Sequence, residues 1–379
     1  MNLLFVGGSN SVMNPGYVSY TLDHLRAAGH EILSHNISVG ANNCLIGLEQ
    51  VRLFGDLSKI DKVVIEFAVN DYKMVTPRSL QTWQRGYEGL IRYILSQNPH
   101  VEIYNLLLAP RDTLAPRIAR LRQGLQAITR HYARGASVFL VDFDAYLRRR
   151  VDNNPAELRK FYEDSTHYRR PKGAAVVARY LAHALMRQVV PVPARLPPAL
   201  CANTFDASRL YDLSAMDHAV VRDFRNSRFQ RRSHQLMPGQ KLVVNLPGPL
   251  ITLSFLATSN SQPLLIEEED EAPVFIYTAH ASMVPTPHKF LIKNFVLGGR
   301  QWSIPGALGP RKVTLTAIDN QEVSEPLKAL LADRNNMIPP SDQGGAVYLS
   351  NLLYFTPTAG EATAFRDREA EAGMAIAAE

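Results

Sequence analysis

The sequence predicts a three-layer α/β/α domain with a parallel, flavodoxin-like sheet, followed by a β-sandwich of jelly-roll type. Three observations carry this expectation. The first half alternates short β-like runs with helical segments, the pattern of βα units. A proline-rich stretch, VVPVPARLPPAL, then runs from Val189 to Leu200. Beyond it, strand-like runs follow one another with no helical periodicity between them. With 379 residues and 46% hydrophobic composition, the chain exceeds the ~100–200 residues typical of one domain.

Taken in order, the expected strands of the first domain are Asn2 to Val6, Glu31 to His35, Lys62 to Phe67, Val101 to Leu108 and Ser137 to Val141. The helices between and after them are Tyr17 to Ala28, Leu45 to Phe54, Leu80 to Ser96, Arg117 to Ala133 and Gly173 to Arg187. Residues 1–188 are thus expected to form the α/β domain and residues 189–200 a stiff linker, because repeated proline fixes the backbone and removes donors. Residues 201–358 are expected to be β-rich, through KLVVNL, LITLSFLAT, PVFIYTAH, KFLIKNFVL, KVTLTAI and AVYLSNLLYF. The Ala/Glu-rich residues 359–379 read as a flexible tail.

Composition narrows the function classes. No run of about 18 apolar residues marks a membrane span. MNLLFV is too short for a signal-peptide core and lacks a basic start, so with Met1 as the true start a cytoplasmic protein is expected. The two cysteines, Cys44 and Cys201, match no metal spacing, and neither do His131, His218, His234, His280 and His288. No metal or cofactor is called for. The acidic run Glu267 to Glu271 reads as a solvated loop. Net charge is +6, with basic clusters at Arg148 to Arg150 and in RDFRNSRFQRR, Arg222 to Arg232. No nucleic-acid motif surrounds them, so a nucleic-acid partner is not expected. The oligomeric state is not fixed by the sequence.

Ligands in such sheets bind beyond the carboxyl ends of the strands, so active residues should follow strands. The first strand opens into FVGGSNSVMNPG. This turn lacks the lysine of a P-loop and the G-x-G-x-x-G order of a dinucleotide site. What remains is a serine nucleophile, Ser9 or Ser11, that needs partners elsewhere. HNISVGANN places Gly40 after the second strand, VVIEFAVND ends the third strand near Asn70, and FYEDSTHYRRPKGA sets Asp164 three residues before His167. Each place has an ordinary structural reading as well. Ser9 would cap a helix, Gly40 would serve a turn, Asn70-Asp71 an Asx-turn, and Asp164 with His167 a helix start.

In order and context, Ser9, Gly40, Asn70 and Asp164/His167 resemble the blocks of the SGNH (GDSL-like) hydrolase family, over roughly Met1 to Arg187. A serine hydroxyl needs a base to attack an acyl carbon, and imidazole is the side chain that titrates near neutrality. The resemblance implies Ser9 as nucleophile, His167 as base and Asp164 as its orienting carboxylate. It implies an oxyanion hole from the backbone N–H groups of Ser9 and Gly40 and the side-chain amide of Asn70. Two positions depart from the family pattern: the acidic residue usual before the nucleophile is Gly8, and the glycine usual two residues before the oxyanion asparagine is Ala68. These bear on efficiency and acyl-chain size more than on reaction type. The expected activity is hydrolysis of a small acyl ester, acetyl, on a carbohydrate, with the β-rich domain holding the sugar. The alternatives are acyl transfer to a sugar hydroxyl at the same site, or a binding or assembly protein that keeps the fold without turnover.

Overall fold

The computed structural model describes residues 1–76, 79–112, 116–187, 195–283, 290–297, 309–331, 337–340 and 344–356. The tail expected at 359–379, residues 189–194 of the expected linker, and His288 lie outside them. The chain divides into two compact units, Met1–Asp206 and Ala207–Glu379.

The first unit alternates strand and helix. Its elements are β1 (Asn2–Gly7), α1 (Ser9–Val12), α2 (Tyr17–Ala27), β2 (Leu33–Asn36), α3 (Cys44–Phe54), β3 (Lys62–Glu66), α4 (Ala68–Asp71) and α5 (Leu80–Gln97), continuing with β4 (Glu102–Leu107), α6 (Pro116–Tyr132), β5 (Val138–Asp142), α7 (Phe143–Arg150), α8 (Pro155–Arg159) and α9 (Lys172–Leu185). The five strands form a parallel sheet in the order β2-β1-β3-β4-β5. Successive side chains of a strand face opposite sides of the sheet, and both sides are covered. Leu3 and Phe5 of β1 join Val18 and Leu25 of α2, Phe143 and Leu147 of α7, and Val177 and Leu181 of α9 in one core. The other face of β1 meets α3. The sequence missed the short helices α1, α4, α7 and α8, which carry too few residues for periodicity to register.

The expected boundary at Leu200 moves to Asp206. Glu88 of α5 is wholly buried and accepts hydrogen bonds from Leu200 N (2.7 Å), Cys201 N (2.8 Å) and Tyr132 OH (2.5 Å). Arg92, one turn on, reaches Pro197 O (2.9 Å) and the Asp206 carboxylate (3.0 Å), and Arg85 donates to Ala202 O (2.8 Å). These buried charged groups require partners, and residues 195–206 supply them. The prolines that read as a connector therefore lead into a strap lying on the first unit.

The second unit comprises β6 (Arg209–Asp212), β7 (Val221–Arg225), β8 (Gln230–Leu236), β9 (Lys241–Leu246), β10 (Leu250–Ala257), β11 (Leu264–Glu268), β12 (Val274–Ile276), β13 (Ala279–His280), β14 (Leu291–Val296), β15 (Arg311–Ala317), β16 (Met337–Ile338) and β17 (Val347–Tyr354). One sheet runs β14-β10-β17-β8-β7, with β6 also on β17; a second runs β12-β11-β15-β9, and β13 pairs with β16. Their pairings are antiparallel. Leu242, Val244 and Leu246 of β9 share a core with Leu253 and Phe255 of β10 and Leu349 of β17, so the two larger sheets enclose one hydrophobic interior. Two sequence expectations change here. The arginine-rich run Arg222 to Arg232 is the β7–β8 hairpin, whose polar residues hid its strand character. Glu267 and Glu268 belong to β11, and the buried Glu268 accepts a hydrogen bond from Leu250 N (3.1 Å).

Behind the carboxyl end of the first sheet lies a buried acidic pair. Glu66, the last residue of β3, accepts a hydrogen bond from Ser11 Oγ (2.9 Å), which also bonds Tyr17 OH (2.7 Å), while its main-chain oxygen accepts from Gly8 N (2.8 Å). Asp71 accepts from Cys44 N and Trp83 Nε1, both at 2.9 Å, and so ties α4 to α3 and α5. Burial pushes the Glu66 carboxyl up to about 8 and that of Asp71 up to about 7, against the opposing hydrogen bonds. Below about pH 8 the folded chain thus keeps a proton on Glu66 that the unfolded chain releases above its ordinary value of 4.5. Native stability is full below the lower value and falls as pH rises through the window between the two. Glu66→Gln is expected to remove up to about 1.4 kcal/mol per pH unit of that decline. Urea unfolding across the window measures it, and an unchanged slope would mean that the carboxyl is ionised in the fold.

Candidate active site

β1 ends at Gly7, and Ser9 is the first residue of α1. The helix has no side-chain cap bond, so the capping role open to Ser9 in the sequence is not what the structure gives it. Ser9 Oγ lies 2.8 Å from His167 Nε2. Ser11, the other candidate, is buried and engaged by Tyr17 and Glu66, so it faces the interior.

His167 and Asp164 sit in the loop before α9, not at the start of a helix. His167 Nδ1 is 2.6 Å from Asp164 Oδ2. The other carboxylate oxygen, Oδ1, accepts the backbone N–H of Thr166 (2.7 Å) and of His167 (2.8 Å) and the Thr166 hydroxyl (3.0 Å). Partial burial pushes the Asp164 carboxyl up, but the hydrogen bonds from the imidazole and the two N–H groups outweigh it and hold it well below the usual carboxylate range. An ionised carboxylate only accepts, so Nδ1 carries the imidazole proton. Nε2 is left to accept from the Ser9 hydroxyl.

Gly40 reaches Ser9 because the pairing of β2 with β1 continues past the end of the strand: Ile37 N donates to Phe5 O (3.0 Å) and Val39 N to Gly7 O (2.9 Å). A Cβ on Gly40 would stand 3.6 Å from Ser9 Cα and 3.7 Å from Ser9 Cβ. It would fill space directly beside the nucleophile. Asn42 Nδ2 donates to Gly40 O (2.8 Å), and Ala41 between them takes the left-handed conformation, φ 58°, so this peptide is fixed by its own loop. The N–H of Ser9, at the start of α1, is one of the donors that a helix leaves without an intrahelical partner.

Asn70 lies in α4 with its Oδ1 buried against Gly8. A Cβ on Gly8 would come within 2.3 Å of that oxygen, whereas Asn70 Nδ2 would be 3.8 Å away. A side chain at position 8 would push the Asn70 amide from its present place. The bracing falls instead to Glu66, through Ser11 and the main-chain bond to Gly8. Ala68, the second departure, is buried at the start of α4. The adjacent Asp71 is spent on Cys44 and Trp83, so Asn70-Asp71 does not form the alternative Asx-turn.

The sequence missed Asn10. It is 3% exposed; its Nδ2 donates to Thr166 O (3.0 Å) and its Oδ1 accepts from Tyr168 N (3.1 Å). The residue next to Ser9 thus grips the chain on both sides of His167. The only sequence signal was a polar residue inside a glycine-rich turn, with partners more than 150 residues away. Among the described residues no group of three His, Cys, Asp or Glu is gathered as a metal site, and no helix is long and apolar enough to cross a membrane.

Residues 5–171 match the model of the GDSL-like lipase/acylhydrolase family. Among solved structures, a two-domain esterase active on acetylated mannans is similar with a TM-score of 0.62 at 16% identity, over 93% of this chain and 91% of that one. Co-crystallised with mannopentaose, it matches with the same score and identity, over 95% of this chain and 91% of that chain. The lipase/acylhydrolase from Enterococcus faecalis is 18% identical and covers 50% of this chain and 100% of its own, with a TM-score of 0.40. No curated protein matches the sequence significantly. The alternating sheet, the serine after β1 and the match over residues 5–171 lead to one assignment: residues 5–171 form a GDSL-like lipase/acylhydrolase domain, of a family of carboxylic ester hydrolases.

Proposed function

We propose that this chain is a serine esterase that removes a small acyl group, acetyl, from a carbohydrate through an acyl-enzyme on Ser9. The observation that carries the reading is the line Ser9 Oγ, His167 Nε2, His167 Nδ1, Asp164 Oδ2, with steps of 2.8 and 2.6 Å across the two hydrogen bonds. The fold likeness to an esterase active on acetylated mannans, which extends over both units, supports carbohydrate as the substrate class.

In this mechanism Ser9 Oγ attacks the ester carbonyl carbon while its proton passes to His167 Nε2, and Asp164 stabilises the imidazolium that forms. The oxyanion receives hydrogen bonds from the N–H of Ser9, the N–H of Gly40 and Asn70 Nδ2, the kind of fixed donors that stabilise a developing charge. Collapse expels the sugar oxygen, which takes the proton back from His167. Water then attacks the acyl-enzyme with His167 again as base, releasing acetate and restoring the Ser9 hydroxyl. A sugar hydroxyl in place of that water gives acyl transfer by the same steps. Asn10 acts as a positioning residue, because its two bonds fix the main chain around His167 relative to the next-door nucleophile.

Two expected outcomes test this. Ser9→Ala should abolish hydrolysis of an aryl acetate and of an acetylated oligosaccharide, by roughly 10⁴-fold or more, while Ser11→Ala keeps turnover; the reverse pattern would move the nucleophile to Ser11. Asn10→Ala should lower kcat by about 10²-fold, the usual order for a small misplacement of a catalytic group, with KM for the aryl acetate little changed. A loss confined to KM would make Asn10 a substrate-binding residue instead.

A further inference from the structure

The arginine-rich run that the esterase chemistry leaves unused forms the outermost hairpin of the second unit's larger sheet. Residues 222–232 carry five arginines and one aspartate. Phe224 faces Arg231 across the hairpin, Arg222 faces Ser233, and Asp223 faces Arg232. Arg222, Arg225 and Arg232 are exposed. The sole carboxylate, Asp223, lies 3.9 Å from Arg232, with both side chains more than 60% exposed, an ion pair of little strength in water. The hairpin therefore presents a strong excess of positive charge.

These guanidinium groups are also held in place. Arg222 stands 5.5 Å from the Phe224 ring and 5.3 Å from the Tyr348 ring, and donates to Tyr348 OH (3.1 Å). Phe224 in turn packs edge-on against Phe290 and Tyr348, at 5.4 and 4.9 Å between ring centres, and both of those rings are buried. At the tip, Asn226 Oδ1 accepts the backbone N–H of Arg228 (2.9 Å) and of Phe229 (2.8 Å), and Arg231 lies 5.2 Å from the Phe229 ring. Positive charge on β7, an edge strand, would by itself guard against edge-to-edge pairing. That duty asks only for scattered charges and not for a guanidinium such as that of Arg222, seated over the buried Tyr348 ring.

We infer that the β7–β8 hairpin binds an acidic polysaccharide, a glycan bearing carboxylate groups, and so presents to the esterase unit a polymer of that class. The planar guanidinium matches a carboxylate with two parallel hydrogen bonds, and seating it on rings lowers the ordering cost of binding. The choice of a glycan rests on the esterase reading above: binding a polymer at one unit raises its effective concentration at the other. The same charges suit a nucleic acid, but no nucleic-acid motif surrounds the run.

Binding of the full-length protein to polygalacturonate, to neutral mannan and to a single-stranded DNA oligonucleotide tests this by calorimetry at low and high salt. Expected are binding to polygalacturonate that weakens with salt, none to mannan, and an affinity about tenfold lower or less in the variant Arg222→Ala/Arg225→Ala/Arg232→Ala. If that variant melts early, Arg225→Gln/Arg232→Gln leaves the aromatic seat intact and should still weaken binding. No binding to polygalacturonate, equal binding to mannan, tighter binding to DNA, or unchanged affinity in a folded variant would overturn the inference. Aryl acetate hydrolysis by the same preparation separates the two readings. Turnover without glycan binding removes only the hairpin's role, and binding without turnover removes the esterase mechanism while leaving the surface.

Discussion

The structure depends on one meeting: Ser9, at the end of the first strand, with His167, 158 residues later in the loop before the last helix of the unit. A hydroxyl and an imidazole hold a productive distance only if both backbones are fixed, and the parallel sheet fixes them at its carboxyl edge. β1 and β3 run in register there, from Leu3 opposite Lys62 to Gly7 opposite Glu66. Asn10 joins the two distant loops directly, and Glu66 braces the nucleophile turn from below through Ser11 and Gly8. Fold and site are thus one construction, in which the buried Glu66 holds the nucleophile turn through Ser11 and Gly8.

Much of this was legible in the sequence. Ser9, Gly40, Asn70 and Asp164 with His167 each follow a strand or precede the last helix, where glycine and short polar residues are common for structural reasons; it was their joint order, resembling the blocks of a known family, that singled them out. β1, β3 and β4 were equally visible, since buried parallel strands are mainly apolar runs; β2, an edge strand reading LSHN, is only partly buried and was placed by its position between helices. What escaped was long-range or masked by composition. Asn10 and Glu66 are ordinary polar residues until the chain folds and their partners arrive. The β6–β8 strands are polar on both sides of the alternation, and the strap at 195–206 was divided between linker and β-rich domain because its role is to satisfy Glu88 and Arg92, which lie a hundred residues earlier.

The two units divide the polar work differently. In the first, carboxyl groups are buried and held by specific bonds, as at Glu88, Asp71 and Glu66. In the second, an apolar core lies between the two larger sheets, and arginines are displayed outward on the β7–β8 hairpin, with Arg222 over the Phe224 and Tyr348 rings. The proposed chemistry and the proposed polymer-binding face thus rest on separate hydrophobic cores.

The central claim is that Ser9 becomes a nucleophile because His167 draws its proton. Its most direct test is reaction of the intact protein with a fluorophosphonate, followed by peptide mass spectrometry of the adduct and by the labelling rate of His167→Ala. The account predicts one adduct, on Ser9, and a labelling rate that collapses when the imidazole is removed. An adduct on another serine, or undiminished labelling of Ser9 without His167, would contradict it.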